Sequence, residues 1–187
     1  MGAIFEFEVA VIDITPRIWR RFLMACNPTF AELHEAIQVA FGWEDAHLWA
    51  FQEQGPERET IAGIPDEAWD EGATPDAWQV SLADFFEQSV GKTRCNYWYD
   101  FGDDWMHEVK LNSIAEGPSD FVRRLVAGER ACPPEDCGGV FGYERMVEFL
   151  ETGLDPDGDD AENLAEWLGT WRPDEFDLEK YKIAFDR

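Results

Sequence analysis

Between residues 94 and 114, side chains that avoid water occupy every second position. Cys95, Tyr97, Tyr99 and Phe101 come first, Gly102-Asp103-Asp104 interrupts, and Trp105, His107, Val109 and Leu111 resume the alternation. A period of two is what a pleated strand produces, because successive side chains leave on opposite faces. Two such runs around a Gly-Asp-Asp turn predict a hairpin with one buried face. A lone hairpin with that much aromatic surface is not stable in water, so the chain must supply other elements to cover it.

The first half of the chain supplies them. In residues 4–14, Phe5, Phe7, Val9 and Val11 share a face opposite Glu6 and Glu8, and Thr15-Pro16 ends the run. Residues 17–24 predict a second strand folded back on the first, with Arg17, Trp19 and Arg21 on one face and Ile18, Arg20 and Phe22 on the other. Thr29 and Glu32 have capping-box spacing ahead of the stripe Phe30, Leu33, Ile37, Phe41, and Gly42 stands where a left-handed residue closes a helix. A short strand is expected over residues 47–52, and Ser81 with Asp84 caps a short helix through Phe86. Three helical stripes follow: Tyr143, Met146, Val147 and Leu150; Leu164, Trp167 and Leu168; and Leu178, Tyr181 and Phe185. Strands early and helices late predict an α+β class: a mainly antiparallel sheet, one early helix and a helical C-terminal third. With 187 residues the chain suits a single domain over residues 1–187. Residues 54–79, acidic and broken by Gly55-Pro56, Ile64-Pro65 and Thr74-Pro75, read as a loop or insertion with room for one short strand.

Charge narrows the partners. There are 40 acidic against 15 basic side chains, a formal net charge of −25. That field repels nucleic-acid phosphates and anionic lipids, so a protein partner or small ligand is favoured over nucleic acid, and no membrane is expected. No stretch approaches the ~18 apolar residues of a bilayer span, and no basic segment precedes an apolar run at the N-terminus. Cys26, Cys95, Cys132 and Cys137 are too sparse for a disulfide scaffold. A cytoplasmic location with reduced thiols is the expectation.

Three stretches stand out together: residues 16–21 (Pro-Arg-Ile-Trp-Arg-Arg), residues 100–108 (Asp-Phe-Gly-Asp-Asp-Trp-Met-His-Glu) and residues 130–139 (Arg-Ala-Cys-Pro-Pro-Glu-Asp-Cys-Gly-Gly). With residues 33–38 and Phe41-Gly42-Trp43, they resemble the family named after the third open reading frame of a root-inducing plasmid. Its members are also labelled TnpR-like passengers of insertion elements. The resemblance runs from the first strand to the last helix and implies an α+β fold, an association with mobile elements and no particular chemistry. The resolvase suggested by that label is not supported, because no Ser stands among Arg residues. The family tends to carry a second His shortly after the one matching His47; Trp49 occupies that place here, which weakens a paired-imidazole metal site.

Four groups of residues invite a chemical reading. Asp100, Asp103, Asp104, His107 and Glu108 surround the hairpin turn and could hold a divalent cation or act as acid and base. Against this, Asp103 and Asp104 suit turn formation, and His107 falls on the apolar face. Cys132 and Cys137 could contribute to a zinc or redox site, or pack as thiols in a Pro- and Gly-framed loop; zinc would need Cys26, Cys95, His34, His47 or His107 as further ligands. Arg17, Trp19 and Arg21 could bind an anion, or pair with nearby acids. Residues 155–166 have acids at calcium-loop spacing, but Asp160 stands where that loop needs Gly.

No catalytic set is complete and no cofactor is required, although a divalent metal is compatible. The leading expectation is a non-enzymatic binding or interaction domain. The alternatives are a metal-dependent hydrolase or nuclease using the residue 100–108 hairpin, and an acidic protein that mimics DNA.

Overall fold

Both hairpins form, and they lie side by side in one sheet. The computed structural model describes residues 2–25, 28–65, 74–86, 93–156 and 161–186. Strand β1 (Gly2–Val11) pairs antiparallel with β2 (Trp19–Ala25), and β5 (Arg94–Tyr99) with β6 (Trp105–Gly117). A further antiparallel ladder between β1 and β6 joins them. Its register sets Phe7 opposite Leu111 and Val9 opposite Val109, while Phe7 also faces Phe22 across the other edge of β1. The period-two apolar residues of four strands therefore fall on one face.

Strands β3 (Trp49–Gln52), β4 (Thr60–Gly63) and β7 (Arg123–Glu129) complete a seven-stranded antiparallel sheet in the order β4-β3-β5-β6-β1-β2-β7. Strand β4 lies within residues 54–79; residues 66–73 of that stretch are outside the described part. Strand β7 is not signalled by alternation, because only Arg123 and Leu125 of its seven residues are buried.

Helix α1 (Phe30–Phe41) begins with the expected capping box, in which Glu32 N donates to Thr29 Oγ1 at 3.4 Å and Thr29 N donates to Glu32 Oε2 at 2.9 Å. It ends at Gly42, at φ +84°. Its stripe is buried with the apolar face of the sheet, and Phe30 packs 4.9 Å from Phe51. Each Phe buried in this way contributes roughly 1.5–3 kcal/mol. Helix α2 (Leu82–Phe86) adds Phe86 against Phe7, and α5 (Leu178–Phe185) sets Phe185 against Phe22. Helices α3 (Gly139–Thr152) and α4 (Ala161–Leu168) follow β7. The opposite face of the sheet is polar, with ion pairs Glu8–Arg17 at 2.9 Å and Arg94–Glu108. None of the described helices is long and apolar enough to cross a membrane.

Arg20 follows the alternation into the core and is 0% exposed. Its Nε donates to Ala40 O at 2.9 Å, Nη1 to Trp19 O and Glu129 O, and Nη2 to Arg130 O at 2.9 Å. Its guanidinium lies 3.9 Å from the Phe176 ring centre. A buried cation without a carboxylate is tolerable here because carbonyl dipoles and aromatic faces take its donors. Arg20 thereby ties the end of α1 to the end of β7, where the site described next begins.

Candidate functional site

Three loops meet beyond the ends of α1, β5 and β7. The first connects α1 to β3. After Gly42 turns the chain, Asp45 N donates to Gln38 Oε1 at 2.9 Å, and Asp45 Oδ1 lies 2.8 Å from the buried His34 Nε2. Burial holds the His34 imidazolium pKa down at about 4, against the opposing pull of Asp45. Ala46 N donates to Tyr99 Oη at 3.2 Å, which fixes the backbone just before His47.

The second loop is the β5–β6 turn. Asp100 has φ +52°, and this left-handed residue breaks the strand alternation. Asp100 turns inward and Phe101, expected on the buried face, is instead 42% exposed and stacked 4.0 Å from Trp98. Asp100 Oδ1 accepts from Gly102 N at 3.0 Å and Asp103 N at 3.3 Å, leaving Oδ2 toward His47.

The third loop, between β7 and α3, carries Glu135 and Asp136. Trp43 Nε1 donates to Pro133 O at 3.0 Å and Trp171 Nε1 donates to Cys132 O at 2.9 Å, clamping its start. Gly138 N donates to Asp103 Oδ2 at 2.9 Å, clamping its end. Glu135 Oε1 accepts from Tyr99 Oη at 2.9 Å and Glu44 N at 2.9 Å. Burial, then the Glu135 carboxylate, raise the Tyr99 phenol pKa, so it stays a neutral donor.

These anchors converge on His47. Its Nε2 stands 3.6 Å from Asp100 Oδ2, 3.7 Å from Glu135 Oε2 and 3.3 Å from Asp136 Oδ1. One donor atom each from His47, Asp100 and Asp136 lie within 4.8 Å of one another. Neither His47 Nε2 nor Glu135 Oε2 has a hydrogen-bond partner among the described residues, and both atoms are closed to solvent. Metal–ligand bonds of about 2.1 Å in a tetrahedron put neighbouring ligand atoms about 3.4 Å apart. The three separations around His47 bracket that value. One imidazole and two or three carboxylates suit zinc or manganese, and neutralising clustered carboxylates favours a cation on charge alone. Asp136, at φ +56° and with a side chain 77% exposed, leaves the cluster open to solvent on its side.

The five hairpin residues singled out in the sequence are dispersed rather than gathered. Asp100 joins the cluster; Asp103 fastens the β7–α3 loop; Asp104, at φ +56°, closes the turn, its N donating to Asp100 O at 2.7 Å. His107 is fully buried, with Nδ1 3.3 Å from Tyr97 O, and burial lowers its pKa to about 4. Glu108, one residue on, faces the other side of the sheet and pairs with Arg94. Alternation alone dictates that His107 and Glu108 cannot share a site on one face.

The thiols of Cys132 and Cys137 are unpaired, as is that of Cys95, and Cys26 lies outside the described residues. Burial pushes the Cys132 thiol pKa up and that of Cys137 up to about 12, so neither is a ready thiolate ligand. Arg17 pairs with Glu8, Trp19 Nε1 donates to Glu129 Oε2 at 3.1 Å, and Arg21 lies 3.9 Å from Glu6. Asp155 is held by Arg145 at 2.8 and 2.7 Å, while residues 157–160 of the acidic stretch are outside the described part. His47, Glu135 and Asp136 were not grouped by sequence reasoning, because 88 residues or more separate the histidine from the two acids. The signal that could have found them is the family-like run over residues 130–139, in which Glu135-Asp136 sits between two prolines and two glycines.

The model of the family described as plasmid pRiA4b ORF-3-like protein matches residues 3–180. The uncharacterised protein y4hQ of Sinorhizobium fredii (strain NBRC 101917 / NGR234) is 33% identical over 175 residues, covering 91% of this chain and 83% of its own. The crystal structure of a protein of unknown function from Methanosarcina mazei Go1 superposes with a TM-score of 0.81 at 33% identity, over 96% of this chain and 98% of that one. The chain belongs to the plasmid pRiA4b ORF-3-like family.

Proposed function

We propose that this member of the plasmid pRiA4b ORF-3-like family is a binding domain built around one divalent cation, held by His47, Asp100 and Asp136 with Glu135 in support. The observation that carries the reading is the pair of buried atoms, His47 Nε2 and Glu135 Oε2, that have no hydrogen bond among the described residues and face one another among carboxylates. An unsatisfied buried polar atom costs about 1–3 kcal/mol, and two aimed at one point are explained together by one occupant. Three loops from distant parts of the sequence are pinned to bring them there, which is more than an exposed acidic cluster requires.

A proton on His47 is the competing occupant, and the two are separable. A cation adds stabilisation that grows with metal concentration, and a proton does not. The test is a thermal melt of chelator-stripped protein with added zinc or manganese. Stabilisation that saturates at one equivalent, and that weakens at least tenfold in Asp136→Asn, supports the reading. An unchanged melting temperature with either ion at neutral pH contradicts it.

A metal-dependent hydrolase is a second reading, favoured by the open side of the cluster at Asp136. Zinc held by three protein ligands keeps a position for water and lowers the pKa of that water to about 7. In this reading His47, Asp100 and Asp136 would bind the ion, Glu135 would orient the water, and the neutral Tyr99 hydroxyl holds Glu135 in place. The acidic surface restricts substrates to neutral or cationic groups. Binding without turnover is the simpler reading because no Lys or Arg side chain joins the cluster among the described residues. The role in mobile elements that the family resemblance implies, and the cytoplasmic location expected from the sparse cysteines, fit either reading.

A further inference from the structure

A cavity of about 590 Å³ is lined by Arg130 just after β7, by Thr15 and Pro16 between β1 and β2, by α3 and by the segment before α5. Val147 and Leu150 of α3 are apolar residues of its lining. Arg130, Arg172 and Tyr143 line the same cavity. Two arginines at one cavity are notable in a chain of net charge −25.

Arg130 is held in position before any ligand arrives. Its backbone is left-handed at φ +66°, its carbonyl accepts from the buried Arg20 Nη2 at 2.9 Å, and the next amide, Ala131 N, donates to Pro173 O at 3.0 Å. Non-glycine residues kept at positive φ cost about 1–3 kcal/mol and cluster at binding sites. The Arg130 side chain is 15% exposed; Nη2 donates to Tyr143 Oη at 3.3 Å and Nη1 pairs with Asp174. Asp174 is 80% exposed, so it is a weak and replaceable partner. Arg130 Nε has no partner among the described residues. Arg172 Nη1 reaches only the carbonyls of Gly169 and Trp171, and Arg172 has no carboxylate partner among the described residues.

We propose that this cavity binds a small amphipathic monocarboxylate, its carboxylate between Arg130 and Arg172 in place of Asp174 and its apolar body along Val147 and Leu150. Arginine suits a carboxylate because its planar fork meets both oxygens. Glu151 and Asp174 at the same cavity balance the two arginines, so a single negative charge is accepted and a phosphate dianion is not. The cavity shares no lining residue with the His47 cluster.

Calorimetric titration of the full chain with hexanoate, hexanol and inorganic phosphate tests it. Hexanoate is expected to bind one to one with a Kd on the order of 1 mM, with hexanol and phosphate at least tenfold weaker. Arg172→Gln, at an exposed position, weakens hexanoate about tenfold, and Asp174→Asn tightens it about threefold by removing the internal competitor. A merely structural Arg130–Asp174 pair predicts no tightening. Equal binding of hexanoate and hexanol, preference for phosphate, or hexanoate binding unmoved in both variants overturns the proposal.

Discussion

Gly139 lies so close to Asp103 that a Cβ added to it would stand 2.3 Å from the Asp103 carbonyl oxygen. Gly139 is also left-handed, at φ +68°. Together with the Gly138 N to Asp103 Oδ2 hydrogen bond, this contact seats the β7–α3 loop on the β5–β6 turn and presents Glu135 and Asp136 to His47. Gly139→Ala is therefore expected to cost about 2–4 kcal/mol in stability or to displace the loop. Denaturant unfolding and metal titration read the two outcomes, and both together should show a loss; a variant with wild-type stability and affinity would remove this contact from the account.

Acid should destabilise the fold through His107 before the carboxylates titrate. Burial lowers the His107 pKa to about 4, below the ordinary value of 6.5 in the unfolded chain. The unfolded state then binds more protons across that window, so stability is fully present above pH 6.5 and is lost as pH falls toward 4. The loss is on the order of 3 kcal/mol for this group at 1.36 kcal/mol per unit. His34, also lowered to about 4 by burial, adds to the same slope. Chemical denaturation at pH 7.5, 6, 5 and 4 should show it, and His107→Gln should flatten the curve by about half.

Arg20 should resist its conservative replacement. Arg20→Lys keeps the charge but has no planar fork for the carbonyls of Ala40, Glu129 and Arg130. A loss of about 3–5 kcal/mol is expected, with carbonyls left unpaired around a buried ammonium. Equilibrium unfolding of this variant checks it; a change below about 1 kcal/mol would show that the donors are dispensable.

The sheet and its helices were legible because their signals are periodic and local. The alternation around Gly102-Asp103-Asp104 and the Thr29–Glu32 box each need only a few neighbouring residues to be recognised, and both formed as expected. Strand β7 escaped because a short edge strand with two buried residues has too little pattern. Of the hairpin residues with a chemical reading, only Asp100 reaches the cluster, because the left-handed backbone at Asp100 redirects the chain and alternation separates His107 from Glu108. The site itself is non-local: His47 meets Glu135 and Asp136 only once β3, β5 and the β7–α3 loop have packed. Nothing in the spacing of those residues along the chain encodes that meeting.

The orienting role of Tyr99 gives a subtler expectation. Tyr99→Phe removes the hydroxyl that donates to Glu135 Oε1 and accepts from Ala46 N. Ligands held by such outer partners typically lose 10–100-fold in metal affinity when the partner is removed. Zinc affinity by competition with a chromophoric chelator should fall by that factor while the fold, monitored by far-ultraviolet circular dichroism, is unchanged.

Elemental analysis of the protein after dialysis against zinc and then against manganese, comparing wild type with His47→Ala, His107→Gln and Cys132→Ser, decides whether His47 holds an ion. Close to one ion per chain is expected in the wild type, the same in His107→Gln and Cys132→Ser, and a loss of at least nine-tenths of it in His47→Ala. A wild type that retains no stoichiometric metal, or a His47→Ala variant that retains as much as the wild type, would contradict an ion at His47.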